Sequence, residues 1–418
     1  MYVMIQNNLL YLYKMMKTIL QINIVGNFGS TGRIAENIGQ LAIADGWQSY
    51  IAFGRYERES QSELIKIGTN TELYYHIIKT RIFDKHGFGS KHATKELIKK
   101  IKKIQPDIIH LHNLHGYYLN IQVLFEYLAK INIPIVWTIH DCWAFTGHCA
   151  YFDYINCEKW KSQCYECPQK KAYPASYFFD SSFNNFVQKK QLFDAISNLN
   201  LVPVSMWLSN LLKESFLGNK KIITIYNGID TDIFTPRNGT DIKNKYNLNN
   251  KHIILGVANI WSKRKGYDDF IKLSTAIDEQ YHIVLVGLNE KQIEKLPANI
   301  TGIKCTENLN ELAELYSIAD VYFNPTWEDN FPTTNLEALS CGTPVITYNT
   351  GGSIESVSKE TGYIAEKGDW QSVYKMIKEI KGKSKNQYSN MCRKRAVECY
   401  EKKQQYYKYI QLYESLLH

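Results

Sequence analysis

Apolar runs of strand length alternate with helix-periodic stretches along this chain, and that alternation excludes most folds. ILQINIV is followed by the loop GNFGSTG, a helical pattern over 33–44 and the run SYIAFG. DIIHLH (107–112), a helical pattern over 121–130 and IPIVWTIH (133–140) continue the series. After a long irregular stretch come LVPVS and a short helical pattern over 207–216. Runs that are apolar throughout belong to strands covered on both faces, as in parallel sheets with helical crossovers. The predicted fold class is therefore α/β.

With 418 residues the chain exceeds one ordinary domain, and two are expected. KIITIYNGID (221–230) reads as a strand and turn that leave the first domain. A second series then begins with HIILGVANIW, a helix over 268–277, HIVLVGL, a helix over 309–317, and DVYFNP. The predicted domains are 16–225, holding a Cys-rich loop over 141–175, then 226–388, then a Tyr- and Lys-rich helix over 389–418 that returns to the first domain. Ligands in such sheets bind beyond the carboxyl ends of the strands. MMKTILQINIV places the expected start of the fold at Met15 or Met16.

With 44% hydrophobic and 22% charged residues, the composition is that of a globular protein. No apolar run reaches the roughly 18 residues of a bilayer span, and the first lysine follows the early apolar stretch, the reverse of a secretory signal. The cytosol is the expected compartment, with a peripheral place on the inner face of the plasma membrane left open. The formal net charge of +8 is concentrated in the first half. Its densest part, KHATKELIKKIKKI, sets Lys91, Lys95, Lys99, Lys100, Lys102 and Lys103 beside an apolar stripe of Leu97, Ile98, Ile101 and Ile104. This is either a surface helix with a solvated Lys face or one drawn to anionic headgroups. No recognition motif or aromatic–basic interleaving points to nucleic acid.

The most informative stretch is NPTWEDNFPTTNLEALSCGTPVITYNTGGSIE (324–355). A buried strand ends there, an acidic pair follows (Glu328, Asp329), and a proline opens a short helix carrying Glu337. A Gly-Thr-Pro break, a second strand over 345–348 and Gly351-Gly352 complete it. Carboxylates around a strand-to-helix junction, beside free helix N–H groups, suit a ligand with sugar hydroxyls at one end and a diphosphate at the other. Lys263-Arg264-Lys265-Gly266 also sits between a strand and a helix, where a lysine reaches a diphosphate as a point charge. Gly29-Ser30-Thr31-Gly32 permits close backbone approach after the first strand. His140 and Asp141 close the strand IPIVWTIH. His110, His112 and His115 are candidates for an acceptor side, with His110 equally suited to packing in its strand.

Together these segments resemble the retaining nucleotide-sugar glycosyltransferases of the GT-B fold, family 4 type, over nearly the whole chain from Lys17. GSTGRI, HLHNLHGYY, TIHDCWAFTGHC and EDNFP…EALSCGTPV bring the resemblance closest to enzymes of bacterial exopolysaccharide, capsule and O-antigen assembly. It implies two Rossmann-like domains facing a central cleft, with Glu337 and His140 converging on it from opposite sides. The family spaces an acidic residue and a Glu by seven residues. Here that spacing pairs Asp329 with Glu337, so Asp stands at the first position, where the family usually has Glu, and Glu328 sits one position too early. By resemblance, His140, Asp329 and Glu328 are the catalytic candidates. Gly29, Gly32, Arg264, Lys265, Asn330, Phe331, Pro332 and Glu337 bind the donor, with Glu337 on the ribose. Asn259 stands where the family often has Arg, and Arg264 is the candidate replacement. The implied partners are a UDP- or GDP-sugar and a lipid-linked saccharide acceptor, with no cofactor needed for catalysis. The rival of another class is a catalytically silent saccharide-binding scaffold subunit.

Cysteines cluster in the 141–175 loop. Cys149, Cys157, Cys164 and Cys167 end in a CxxC, a spacing that favours a structural zinc in a reducing compartment. Free thiols and redox disulfides are the alternatives. Cys341 and Cys392 read as packed.

Overall fold

The computed structural model describes residues 16–383 and 385–418, so Met15 of the expected start lies outside the described residues. The chain divides into two units. One takes the described residues up to Ile225 together with Tyr406–His418, and the other Tyr226–Gln405.

The first unit is built on the strands β1 (Thr18–Asn23), β2 (Gln48–Phe53), β3 (Glu63–Lys66), β4 (Ile108–Leu111), β5 (Ile135–Ile139), β6 (Leu199–Pro203) and β7 (Lys221–Ile222). They form one parallel sheet in the order β3-β2-β1-β4-β5-β6-β7. Its helices are α1 (Gly29–Ala44), α2 (Asn70–Phe83), α3 (Lys91–Ile104), α4 (Ile121–Leu128), α5 (Ser182–Asp194) and α6 (Met206–Glu214). All residues of β1, β4, β5 and β6 are buried, the polar Gln21, His110, Thr138 and Asn200 included, as expected of largely apolar strands covered on both faces. Side-chain caps start several helices: Thr69 and Glu72 form a capping box at α2, Asn120 accepts from Val123 N–H at α4, and Ser205 accepts from Leu208 N–H at α6.

The second unit contains α7 (Thr240–Lys245), β8 (His252–Val257), α8 (Tyr267–Ser274), β9 (Tyr281–Val286), α9 (Glu290–Ile293), β10 (Ile300–Ile303), α10 (Leu309–Ile318), β11 (Val321–Asn324), α11 (Thr333–Ser340), β12 (Val345–Tyr348), β13 (Gly362–Ala365), α12 (Trp370–Lys381), α13 (Lys385–Tyr400) and α14 (Lys402–Leu417), whose residues from Tyr406 belong to the first unit. Its parallel strands run β10-β9-β8-β11-β12-β13. Both sheets thus follow the doubly wound order in which the chain starts mid-sheet, winds to one edge, returns and winds to the other.

Three differences from the sequence reading concern the expected elements themselves. GSTG, expected to join strand and helix, is the first turn of α1. The 221–230 run is a strand only over Lys221–Ile222, although Ile223 and Ile225 N–H still donate to Leu201 and Pro203 carbonyls. The single helix expected over 389–417 is two. Tyr400 O accepts from Ile229 N–H and Lys402 N–H donates to Ile229 O, at 2.7 and 3.0 Å, and this bridge takes the backbone groups a continuous helix would use. Arg393 of α13 donates to the carbonyls of Thr231, Phe234 and Ser340, which keeps α13 in the second unit. Beyond the break, Tyr409, Ile410 and Tyr413 pack with Ile19, Ile38, Ile108 and Val136 in the first unit's core.

Candidate active site

In the second unit the winding reverses between β8 and β11, the point where open parallel sheets bind ligands. Three loops meet there. The loop after β8 ends in the turn Lys263–Lys265 and Gly266, whose φ of +77° and closeness to Pro325 O (2.2 Å from where a Cβ would sit) admit only glycine. Arg264 O accepts from Trp327 N–H at 2.9 Å, and the Arg264 guanidinium donates to Glu328 O at 3.0 Å. From beyond β12, Gly351 meets the same loop at φ +48°, where a Cβ would lie 1.9 Å from Asp329 O. The Asn335 amide in α11 ties the ends together, donating to the Ser353 and Ser356 hydroxyls at 3.1 and 2.9 Å and accepting from Asn324 at 2.8 Å.

This frame brings the Lys265 ammonium 2.5 Å from Asp329 Oδ2, with both side chains partly open to solvent. Glu328 is 2% exposed, so of the two acids Asp329 is the one presented beside the lysine. Glu337, on α11, is also buried, and Tyr316 donates its hydroxyl to Glu337 Oε2 at 2.9 Å. Burial first, and the Glu337 charge second, push the Tyr316 phenol well above its ordinary pKa, so it stays a donor. Asn330 is buried, Pro332 precedes the first turn of α11, and Phe331 packs against Tyr226 and Tyr400 at 5.0 and 5.7 Å between ring centres.

In the first unit, Gly29 and Gly32 lie in the first turn of α1, whose N-cap residue Phe28 supplies no side-chain cap. Open space surrounds Gly29, and the N–H groups of such a turn favour an anion. His140 follows β5 at its carboxyl end. Gln21 holds it through His112: the Gln21 amide N–H donates to Ala35 O at 2.7 Å, leaving its oxygen to accept from His112 Nε2 at 3.0 Å. His112 Nδ1 then carries the lone pair and accepts from His140 Nε2 at 3.3 Å, which sets the neutral tautomer of both rings. Burial lowers the His140 pKa to about 4, with Asp141 opposing and His115 adding to the shift. His140 is thus uncharged at pH 7.

The other predicted histidines, His110, His112 and His115, are buried. His110 is fully buried between Thr138 (2.7 Å) and the Tyr413 hydroxyl (2.7 Å), so it belongs to the core. His115 joins Asp141 Oδ2 at 2.6 Å and the Tyr173 hydroxyl at 2.9 Å. Burial alone would raise the Asp141 pKa, but His115 and the Trp143 N–H outweigh it and hold the carboxyl below its usual range. Sequence reasoning missed Gln21, Tyr173 and Tyr316. Gln21 had a signal, being an amide within an apolar strand; the other two meet their partners only through the fold.

The Cys-rich loop is held by Lys189 of α5, which is 1% exposed and donates to the carbonyls of Trp143 and Thr146 at 2.7 and 3.0 Å. Cys149, Cys157, Cys164 and Cys167 line one cavity of about 20 Å³. Among the described residues no group of three or more His, Cys, Asp or Glu side chains is arranged to hold a metal ion. Instead the Cys149 thiol hydrogen-bonds Cys167, and this bond leads in lowering the Cys167 pKa to about 7. Cys167 should therefore alkylate first with iodoacetamide at pH 7.5, well ahead of Cys149, as peptide mass spectrometry would read. Equal protection of all four thiols, with one zinc per chain, would instead mean that they close on a metal.

Two family descriptions match the chain. "Glycosyltransferase Family 4" covers residues 31–233, and "Glycosyl transferases group 1" covers residues 238–398. An Escherichia coli K12 protein provisionally named as a colanic acid biosynthesis glycosyl transferase, WcaC, is 26% identical over 360 residues, spanning 82% of this chain and 86% of its own. The Staphylococcus aureus capsular polysaccharide biosynthesis glycosyltransferase CapM is 24% identical over 196 residues, 43% of this chain and 52% of its own. The crystal structure of Anabaena HepE in complex with UDP-glucose superposes with a TM-score of 0.66 at 14% identity, covering 95% of this chain and 99% of that one. With one family match on each of its doubly wound units, the chain belongs to the GT-B glycosyltransferases of family 4 type.

Proposed function

We propose that the chain is a retaining glycosyltransferase that takes its sugar from a UDP- or GDP-sugar and adds it to a saccharide acceptor in cell-surface polysaccharide synthesis. The observation that carries this reading is the Lys265–Asp329 pair at the β8–β11 switch, with Glu337 on the helix that follows. The relatives named for colanic acid and capsular polysaccharide biosynthesis support the pathway class, and the UDP-glucose bound by HepE supports the donor class.

In this reading Glu337, kept in place by Tyr316, accepts the ribose hydroxyls, a use for which a carboxylate with several lone pairs is suited. Lys265 stabilises the diphosphate as it leaves, an electrostatic contribution greatest where charge develops. Asp329 lies against the sugar hydroxyls. The anomeric C–O bond to the β-phosphate breaks as a bond to the acceptor oxygen forms on the same face, and the departing phosphate oxygen takes the acceptor's proton. His140 of the first unit, uncharged at pH 7, is suited to hydrogen-bond a sugar hydroxyl without adding a positive charge.

Incubation with a panel of UDP- and GDP-sugars and saccharide acceptors tests this. Release of nucleoside diphosphate with a product whose anomeric configuration, read by NMR, matches the donor supports it. An inverted product, or donor binding without turnover on any acceptor, counts against it. The low His140 pKa adds a pH expectation. Its imidazole is neutral above about pH 4, so kcat/KM should show no His140 ionisation between pH 5 and 8 and should fall only as the ring gains a proton near pH 4.

A further inference from the structure

The first unit has a switch of its own, because the order of its sheet reverses between β1 and β4. Arg55 N–H donates to Ile24 O at 2.9 Å, which ties the loop after β2 to the loop after β1. The loop after β4 carries His115, and Asp141 follows His140 at the end of β5. Tyr173 reaches these two from the far end of the Cys-rich loop. The three side chains form a line: the Tyr173 hydroxyl is 2.9 Å from His115 Nδ1, and His115 Nε2 is 2.6 Å from Asp141 Oδ2. Asp141 Oδ1 is anchored in turn by the Trp143 N–H at 2.9 Å. His115 and Asp141 are buried and Tyr173 is 41% exposed, so the line is fixed at its inner end and meets solvent at its outer one.

A partly exposed tyrosine needs no such support, since water satisfies its hydroxyl. Here a ring oriented by a carboxylate occupies one hydrogen-bonding direction of the phenol. In the neutral ring Nδ1 accepts the phenolic proton, and in the charged ring it donates to the phenol oxygen. Both states leave the hydroxyl a further hydrogen bond to make, from a fixed position. Burial first, and the Tyr117 and Asp141 charges after it, raise the Tyr173 pKa, so the phenol keeps its proton. Arg55 stands close enough to oppose that shift, and its Nε is buried with no acceptor among the described residues. A buried donor left so is costly and suits a site that a ligand oxygen completes. His115 and Asp141 also act on the His140 pKa, so Tyr173 belongs to the same polar cluster as that residue.

We propose that Tyr173 is a specificity-determining residue for the saccharide acceptor, its hydroxyl bonding one acceptor hydroxyl, with His115 and Asp141 as positioning residues that hold the phenol in place. A saccharide hydroxyl both donates and accepts, so it matches what the phenol has left in either state of the His115 ring. The inference rests on the sugar-transfer reading and adds to it the side chain that selects among acceptor hydroxyls.

Sugar transfer to octyl glycosides and their mono-deoxy analogues, beside hydrolysis of the donor without acceptor, tests it. Tyr173→Phe keeps the ring and should lower kcat/KM for the octyl glycoside about three- to tenfold, chiefly through the acceptor KM. Donor KM and donor hydrolysis should not change. One mono-deoxy analogue should be about three- to tenfold poorer than its parent for the intact chain and equal to it for Tyr173→Phe, a coupling that a purely structural role does not produce. His115→Gln, whose amide can still donate to Asp141, should reproduce the loss and add nothing in the Tyr173→Phe background. If the intact chain and Tyr173→Phe discriminate every deoxy position alike, or if Tyr173→Phe slows hydrolysis and transfer together, the proposal is overturned and the sugar-transfer reading stands. Hydrolysis or binding of the donor with no transfer to any acceptor would remove that reading, and this proposal with it.

Discussion

Lys265→Ala should lower kcat/KM for sugar transfer by roughly 100- to 1000-fold, the range seen when one preorganised charge-stabilising group is lost. Two effects combine. The departing diphosphate loses a point charge, and Asp329 loses the ammonium that stands 2.5 Å from it, leaving a bare carboxylate beside an anionic leaving group. Because the lysine acts on charge that grows in the transition state, most of the loss should fall in kcat rather than KM. Lys265→Arg tests this further: a planar guanidinium keeps the charge but not the compact geometry, so only partial recovery is expected. Steady-state kinetics with the best donor from the panel would read both variants.

Glu337→Gln should weaken nucleoside diphosphate binding by about 10- to 100-fold, as expected for removing hydrogen bonds to a charged partner. The amide oxygen still accepts from Tyr316, so the helix and its buried phenol stay satisfied and the loss reports the carboxylate itself. Glu337→Ala removes both. It leaves the Tyr316 hydroxyl buried without its acceptor, and about 1–3 kcal/mol of stability should be lost with the affinity. Comparing the pair by binding calorimetry and urea unfolding separates the ligand contribution from the structural one. Equal affinities for Glu337→Gln and the unaltered chain would remove this residue from the donor site.

Much of the fold was legible because most of its strands are buried on both faces and read as largely apolar runs, and because loops at strand ends are marked by Gly and Pro. His140 was singled out because it sits one step past a recognisable strand, and Glu337 because of its spacing from Asp329. β3 was missed, being a four-residue edge strand with two exposed charged ends. α2 was missed because apolar residues lie on both its faces, so no helical period appears. The break before α14 depends on Ile229, far away in sequence, and the Tyr316–Glu337 bond on two helices meeting beside β11. That Glu328 is buried while Asp329 pairs with Lys265 depends on packing, which spacing does not encode.

The central claim is that the β8–β11 switch of the second unit holds a nucleoside diphosphate between Lys265 and Glu337. Titration calorimetry with UDP and GDP, on the intact chain and on Lys265→Ala/Glu337→Gln, tests it most directly. Saturable binding of at least one nucleotide that disappears in the double variant is the predicted result. Binding of neither, or binding that survives both substitutions, would contradict it.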